Sequence, residues 1–320
     1  MKILFADKFP SQQLEQLQGD GHQTSFQPDL QADDIPDAIA GFEVLVVRGT
    51  KVEKPALNAA DQLKMVIRAG AGTNTIDKEA AKDKGIAVCN VPGKNAIAVA
   101  ELALGLLLSI DRRIPDNIRE LKAGLWNKKT FSNARGLFGR SIGIVGAGSI
   151  GMAVAQRASA FGLKVIMINK PGRSPELLQQ MQALAVQTVD SLEQLVTESD
   201  IVSIHVPAAP GTKHLVNEEF LGWMREDAVL LNTSRGDVVD EQALLAALDS
   251  KGLRAGLDVY ANEPGASSGE FNSQLARHPN VYGTHHIGAS TDQAQDAVAD
   301  GVIEIVNAFS RGDIINQVNQ

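Results

Sequence analysis

The feature that most restricts the fold of this chain is Gly146-Ala-Gly-Ser-Ile-Gly151, which directly follows the apolar run SIGIV and directly precedes the helical stretch MAVAQRASAFG. A strand that enters a helix through glycines at this spacing has a use for each of them. Gly146 permits the tight turn, Gly148 lets backbone amides approach an anion, and Gly151 lets helix and strand pack closely, with Ser149 and Ile150 completing the loop. The helix amino terminus then faces the anion. In this strand–turn–helix context the motif predicts a parallel α/β sheet and a dinucleotide pyrophosphate over the loop.

A carboxylate that grips a ribose 2′-hydroxyl normally stands at the end of the next strand, about 20 residues on. Asn169 occupies that place, followed by Lys170 and Arg173. A neutral side chain removes a repulsive carboxylate, and two cations offer charge to a 2′-phosphate. NAD and NADP both remain open, since Lys170 and Arg173 also read as solvated loop charges.

The rest of the chain fits the same class. Before Asn90, short β-branched runs (KILFAD, EVLVVR, KMVIRAG, IAVCN) alternate with helical patterns, Gly41 and Gly85 standing at helix ends. After Arg140 a second series runs through SIGIVG, KVIMIN, DIVSIHV, AVLLNTS, GLRAGLDVY and VYGTHH, with EQALLAALDS as one of its helices. Between the series, a stretch from Asn95 to about Lys122 is helical, interrupted by Pro115. Its Leu-rich half is apolar on nearly all faces and must be buried, in its own core or against a second subunit. A last helix, Asp292 to Phe309, carries Ala294, Val298, Val302, Ile305 and Phe309 on one stripe. At 320 residues, two doubly wound parallel-sheet domains are expected.

Composition excludes several classes. A net charge of −8 is unsuited to a general nucleic-acid binder. MKILFADKFP reaches Asp7 and Lys8 too soon for a signal peptide, and the most apolar stretch, Ala96 to Ile110, carries Glu101 and is too short for a membrane span. Cys89 is the only cysteine. It cannot form an internal disulfide, which suits a cytoplasmic protein, and in IAVCN it reads as a buried strand residue. No His or Cys cluster has the spacing of a metal site, so none is expected.

The ordered motifs RAGAGTNTID, GAGSIG, HVP, NTSRGDVVDE, DVYANEP and HHIGAS resemble the D-isomer-specific 2-hydroxyacid dehydrogenase family across essentially the whole chain, most closely its phosphoglycerate branch. The resemblance implies a Rossmann NAD(P) domain, residues 98–289, inserted into a flavodoxin-like substrate domain, residues 1–97 plus 290–320, with the catalytic cleft between them and a homodimer as the assembly. It implies Arg235 as the catalytic arginine, Glu263 as the carboxylate partner and His286 as the acid/base. An imidazole serves proton transfer in both directions, Glu263 would favour its charged form and fix the ring, and Arg235 would orient the substrate carboxylate and polarise its carbonyl.

Without the resemblance, His285 and His286 could not be told apart. His22, His205, His214 and His278, taken singly, read as structural. The family places His205, Val206 and Pro207 on the adenine side of the cofactor and Asp258 at the nicotinamide carboxamide; Thr212, Thr233, Ser234 and Gly288 also join the cofactor set. The loop Ala69 to Gly72 would lie on the substrate carboxylate, with Ala71 standing where a hydroxyl-bearing residue is often found. Arg48 and Arg68 match arginines directed at a substrate phosphate, and each alone also reads as a strand-end surface charge.

The expected reaction is hydride transfer at C2 of a D-2-hydroxy acid, first 3-phospho-D-glycerate/3-phosphohydroxypyruvate. An NADPH-dependent glyoxylate or hydroxypyruvate reductase is the alternative, D-lactate a weaker one, and a non-enzymatic nucleotide-sensing scaffold a remote one. Longer family members carry a regulatory domain beyond the position of Gln320, so no serine feedback is expected here.

Overall fold

The computed structural model describes residues 1–264 and 268–320, which divide into two units: residues 1–95 with 289–320, and residues 96–288. In the first unit the strands are β1 (Lys2–Phe5), β2 (Gln23–Phe26), β3 (Val44–Val47), β4 (Met65–Arg68) and β5 (Ala87–Asn90). They are parallel in the order β2-β1-β3-β4-β5, the flavodoxin-like arrangement. Strand period sends alternate side chains to opposite faces. Ile3, Phe5, Val44, Val46, Met65, Ile67 and Cys89 pack with Val302, Ile305 and Val306 of the helix Asp292–Ser310. Leu4, Leu45, Val47, Val66 and Val88 face Ile35, Ile39, Leu57 and Ala81. Both faces are covered, which is why these strands read as continuous apolar runs.

Cys89 is fully buried, and that burial pushes its thiol up to about 11, so it is a packing residue and not a nucleophile. The outer edge of β5 is closed by the carboxyl-terminal tail. Gln317 pairs with Cys89 in antiparallel sense, and the Asn319 side chain accepts from the Val88 amide at 2.8 Å and donates to the Ile86 carbonyl at 2.9 Å.

The second unit contains β6 (Ser141–Val145), β7 (Lys164–Ile168), β8 (Gln187–Val189), β9 (Ile201–Ile204), β10 (Val229–Asn232), β11 (Arg254–Leu257) and β12 (Val281–Gly283). All are parallel, in the order β12-β11-β10-β9-β6-β7-β8, a Rossmann sheet extended by one strand. The order reverses at β6, where such sheets bind ligands beyond the strand carboxyl ends.

The apolar helix after Asn95 proves to be two. Ala96–Arg112 ends at Arg113, which adopts a left-handed conformation (φ 50°), and Pro115 sits in the first turn of Ile114–Lys122. The first helix is buried within its own unit: Leu104, Leu107 and Ile110 pack with Ile142, Ile144, Val229 and Leu231. Its apolar character is thus explained without a second subunit. The runs QTSF and QTV, which become the outer strands β2 and β8, were not legible as strands because edge positions bury little and their residues are mostly polar.

Candidate active site

The glycine loop follows β6, and its glycines differ in what they tolerate. Gly146 has φ 108°, and a Cβ there would lie 2.4 Å from the His205 carbonyl oxygen. A Cβ on Gly151 would lie 1.9 Å from the Gly146 oxygen, so the helix Ser149–Ala160 can approach β6 this closely only without a side chain. A Cβ on Gly148 would meet no atom of the described residues within 4 Å. Ser174, Ser191, Asn217 and Asp240 cap the helices they precede, whereas Gly148 leaves the amides of Ser149–Ala160 without a side-chain cap. Open space over an uncapped helix terminus fits a dinucleotide pyrophosphate.

At the end of β7, Asn169 and Lys170 are exposed. Arg173 is turned back, donating to the Ile168 carbonyl at 2.5 Å, with Met181 Sδ 3.2 Å from its Nη1. Arg173 is therefore partly committed to closing its own loop. In the HVP segment after β9, Val206 packs against the core, and the Thr212 hydroxyl donates to the Pro207 carbonyl at 2.5 Å. Among the described residues the Thr233 hydroxyl is buried without a partner, while Ser234 donates to Asn232 Oδ1 at 2.7 Å.

His205 lies 2.7 Å, through Nε2, from the Ser203 hydroxyl, and its Nδ1 is buried with no partner among the described residues. Burial pushes its pKa down from 6.5 to about 4. Above the unfolded value both states are neutral, and as pH falls from 6.5 towards 4 the unfolded chain takes a proton that the folded chain refuses. The melting temperature should therefore drop across that window, and His205→Gln should flatten the drop. An unchanged slope in the variant would contradict this reading of His205.

Arg235, Glu263 and His286 follow β10, β11 and β12, three neighbouring strands whose carboxyl ends share one edge. His286 Nδ1 is 2.7 Å from Glu263 Oε1. A carboxylate accepts, so Nδ1 carries the hydrogen and Nε2 is the nitrogen left to exchange a proton. The structure distinguishes the adjacent histidines: His286, and not His285, makes this pair, and it alone of the two has a positive φ, 54°. Such a conformation in a non-glycine residue persists only when its surroundings enforce it.

Asp258 provides that enforcement. Its carbonyl accepts from the His286 amide at 2.8 Å, Oδ1 accepts from the Ile287 amide at 2.9 Å and the Thr284 hydroxyl at 2.6 Å, and Oδ2 accepts from the Gly288 amide at 2.8 Å. Sequence reading had no signal for this bracing role or for Thr284. Arg235 sits in a turn organised by buried Asn232, whose Nδ2 donates to the Arg235 carbonyl at 2.9 Å, and its own Nη1 donates to the Ser234 carbonyl at 2.6 Å. A Cβ on Gly236 would lie 2.0 Å from the Tyr260 carbonyl carbon, so the turn is packed directly on the segment leading to Glu263.

In the other unit, Arg48 and Arg68 stand at the carboxyl ends of the adjacent strands β3 and β4. The Arg68 guanidinium lies over Gly70, where a Cβ would collide with it, and donates to the Ala69 carbonyl at 3.3 Å. Ala71 and Gly72 are partly exposed, and the Ala71 carbonyl accepts from Asn90 Nδ2 at 2.6 Å. Among the described residues no group of three or more His, Cys, Asp or Glu could hold a metal ion, and no helix is long and apolar enough to cross a membrane.

Residues 104–288 match the family model described as D-isomer specific 2-hydroxyacid dehydrogenase, NAD binding domain. The chain belongs to this family. It is 36% identical over 321 residues to D-3-phosphoglycerate dehydrogenase of Methanocaldococcus jannaschii, covering 99% of this chain and 59% of that one. It is 42% identical over 277 residues to hydroxypyruvate reductase of Thermotoga maritima, covering 86% and 87%. An acyclic imino acid reductase solved in complex with NADPH and D-Arg superposes with a TM-score of 0.85 at 28% identity, covering 99% of this chain and 100% of that one. The chain thus spans less than two thirds of the archaeal dehydrogenase and most of the bacterial reductase.

Proposed function

We propose that this 2-hydroxyacid dehydrogenase transfers hydride between NAD(P) and C2 of a D-2-hydroxy acid, with 3-phospho-D-glycerate and 3-phosphohydroxypyruvate as its preferred pair. The observation that carries the reaction class is the 2.7 Å His286–Glu263 pair on a histidine braced at φ 54°. When bound, reduced nicotinamide supplies the hydride that adds to the keto carbon. His286 Nε2 gives its proton to the carbonyl oxygen as that oxygen gains charge, and takes the proton back in oxidation. Glu263 holds Nδ1 and stabilises the imidazolium. Arg235, released from the Ser234 carbonyl, pairs with the substrate carboxylate, for which its planar fork is suited.

Two further arginines, Arg48 and Arg68, favour a substrate with a second anionic group. Replacing either by alanine should raise KM for 3-phosphohydroxypyruvate far more than for hydroxypyruvate; equal effects on both would sink the phosphate assignment. The second reading is a glyoxylate or hydroxypyruvate reductase using NADPH, and Asn169 is what favours it. With no carboxylate at that position, NADPH should be accepted, and Asn169→Asp should shift the NADPH/NADH ratio of kcat/KM at least about tenfold towards NADH. A ratio that does not move would remove Asn169 from cofactor choice.

A homodimer in the cytosol is the assembly we infer. Its support is Ile114, Ile118 and Leu121, which recur exposed on one face of the helix Ile114–Lys122, together with exposed Leu125 and Trp126 just beyond its end, Trp126 being 84% exposed. Leu121→Asp with Trp126→Ser should then turn a dimer into a monomer by light scattering, and a wild-type monomer would contradict the inference.

A further inference from the structure

Arg48 is held at both ends. Asp7, just beyond β1, accepts through a single oxygen from the amides of Arg48 at 2.6 Å, Gly49 at 3.1 Å and Thr50 at 3.1 Å. This ties the backbone carrying Arg48 to the neighbouring strand. At the other end, Nη1 of Arg48 donates to Gln295 Oε1 at 3.1 Å. Gln295 lies in the first turn of the helix Asp292–Ser310, whose start is fixed by the Thr291 side chain accepting from the Ala294 amide.

The identity of residue 295 matters chemically. A guanidinium offers only donors, so the amide oxygen must face it, and Nε2 is directed away as a further donor. A carboxylate here would hold Arg48 equally well but would cancel its charge and repel an incoming anion. The amide orients without neutralising. We propose that Gln295 is a positioning residue that aims Arg48 and thereby selects substrates bearing a second anionic group beyond the 2-keto acid. This rests on the phosphorylated-substrate reading above. It adds to that reading a residue outside every motif quoted from the sequence.

The test is the ratio of kcat/KM for 3-phosphohydroxypyruvate to that for hydroxypyruvate, with one nicotinamide, in wild type, Gln295→Ala, Gln295→Glu, Arg48→Ala and the Arg48→Ala/Gln295→Ala double variant. Gln295→Ala should lower the ratio about tenfold, the size expected for one hydrogen bond to a charged group, with the change in KM for the phosphorylated substrate. Gln295→Glu should lower it further. In the Arg48→Ala background, Gln295→Ala should change the ratio no more, because its effect passes through Arg48. Equal losses on both substrates, or a full Gln295→Ala effect without Arg48, would overturn the proposal. A wild-type preference that neither Gln295 variant alters would overturn this inference alone. A wild type with no preference would overturn the substrate reading and this inference together.

Discussion

His286→Ala should lower kcat for keto-acid reduction by about a thousandfold while the enzyme still binds reduced nicotinamide, since a positioned general acid contributes roughly that much. The side chain is about half exposed, at 47%, and is not among the buried residues, so its loss should leave the fold intact. Glu263→Gln should produce a smaller loss in kcat. It keeps an acceptor 2.7 Å from Nδ1 but removes the charge that stabilises the imidazolium. The prediction is checked by steady-state kinetics alongside fluorescence titration of the nicotinamide. Retention of more than about a tenth of wild-type kcat in His286→Ala would remove His286 from the proton-transfer role.

The glycine loop gives the second large effect, and it separates two kinds of damage. Gly151→Ala places a Cβ 1.9 Å from the Gly146 oxygen, a backbone atom that cannot rotate away. The helix must move off β6, which costs about 1–3 kcal/mol as overpacking and moves the amides that would meet the pyrophosphate. Both melting temperature and nucleotide affinity should fall. Gly148→Ala meets nothing among the described residues within 4 Å, so it should leave the melting temperature unchanged while weakening the nucleotide more than about tenfold, because its methyl group takes space the phosphates need. Calorimetric titration and thermal denaturation read the two effects separately. If Gly148→Ala bound nucleotide normally, the pyrophosphate would not lie where the loop is argued to hold it.

The sequence displayed the architecture wherever strands were buried on both faces. VLVV, MVIR, AVCN and SIGIV were readable because a central parallel strand is apolar throughout, whereas QTSF and QTV were not, because an edge strand need not be. The helix after Asn95 was legible as buried, but what buries it depends on the sheet it meets, which no local pattern encodes. For the site, GAGSIG carried its own structural logic. Arg235, Glu263 and His286 stood out only through resemblance, since they are 51 residues apart at the extremes (286 − 235) and come to one sheet edge only through three neighbouring strand ends. The bracing of His286 by Asp258 and Thr284, and the contact of Gln295 with Arg48, are long-range hydrogen bonds without a periodic signature.

The stereochemistry of reduction tests the proposed hydride transfer most sharply. Hydroxypyruvate is common to both substrate readings, so incubating it with reduced nicotinamide and resolving the glycerate enantiomers by chiral chromatography tests the chemistry apart from phosphate recognition and cofactor preference. The expected result is turnover that His286→Ala reduces about a thousandfold and a product that is D-glycerate alone. L-glycerate, or no oxidation of either nicotinamide above the His286→Ala background, would contradict it.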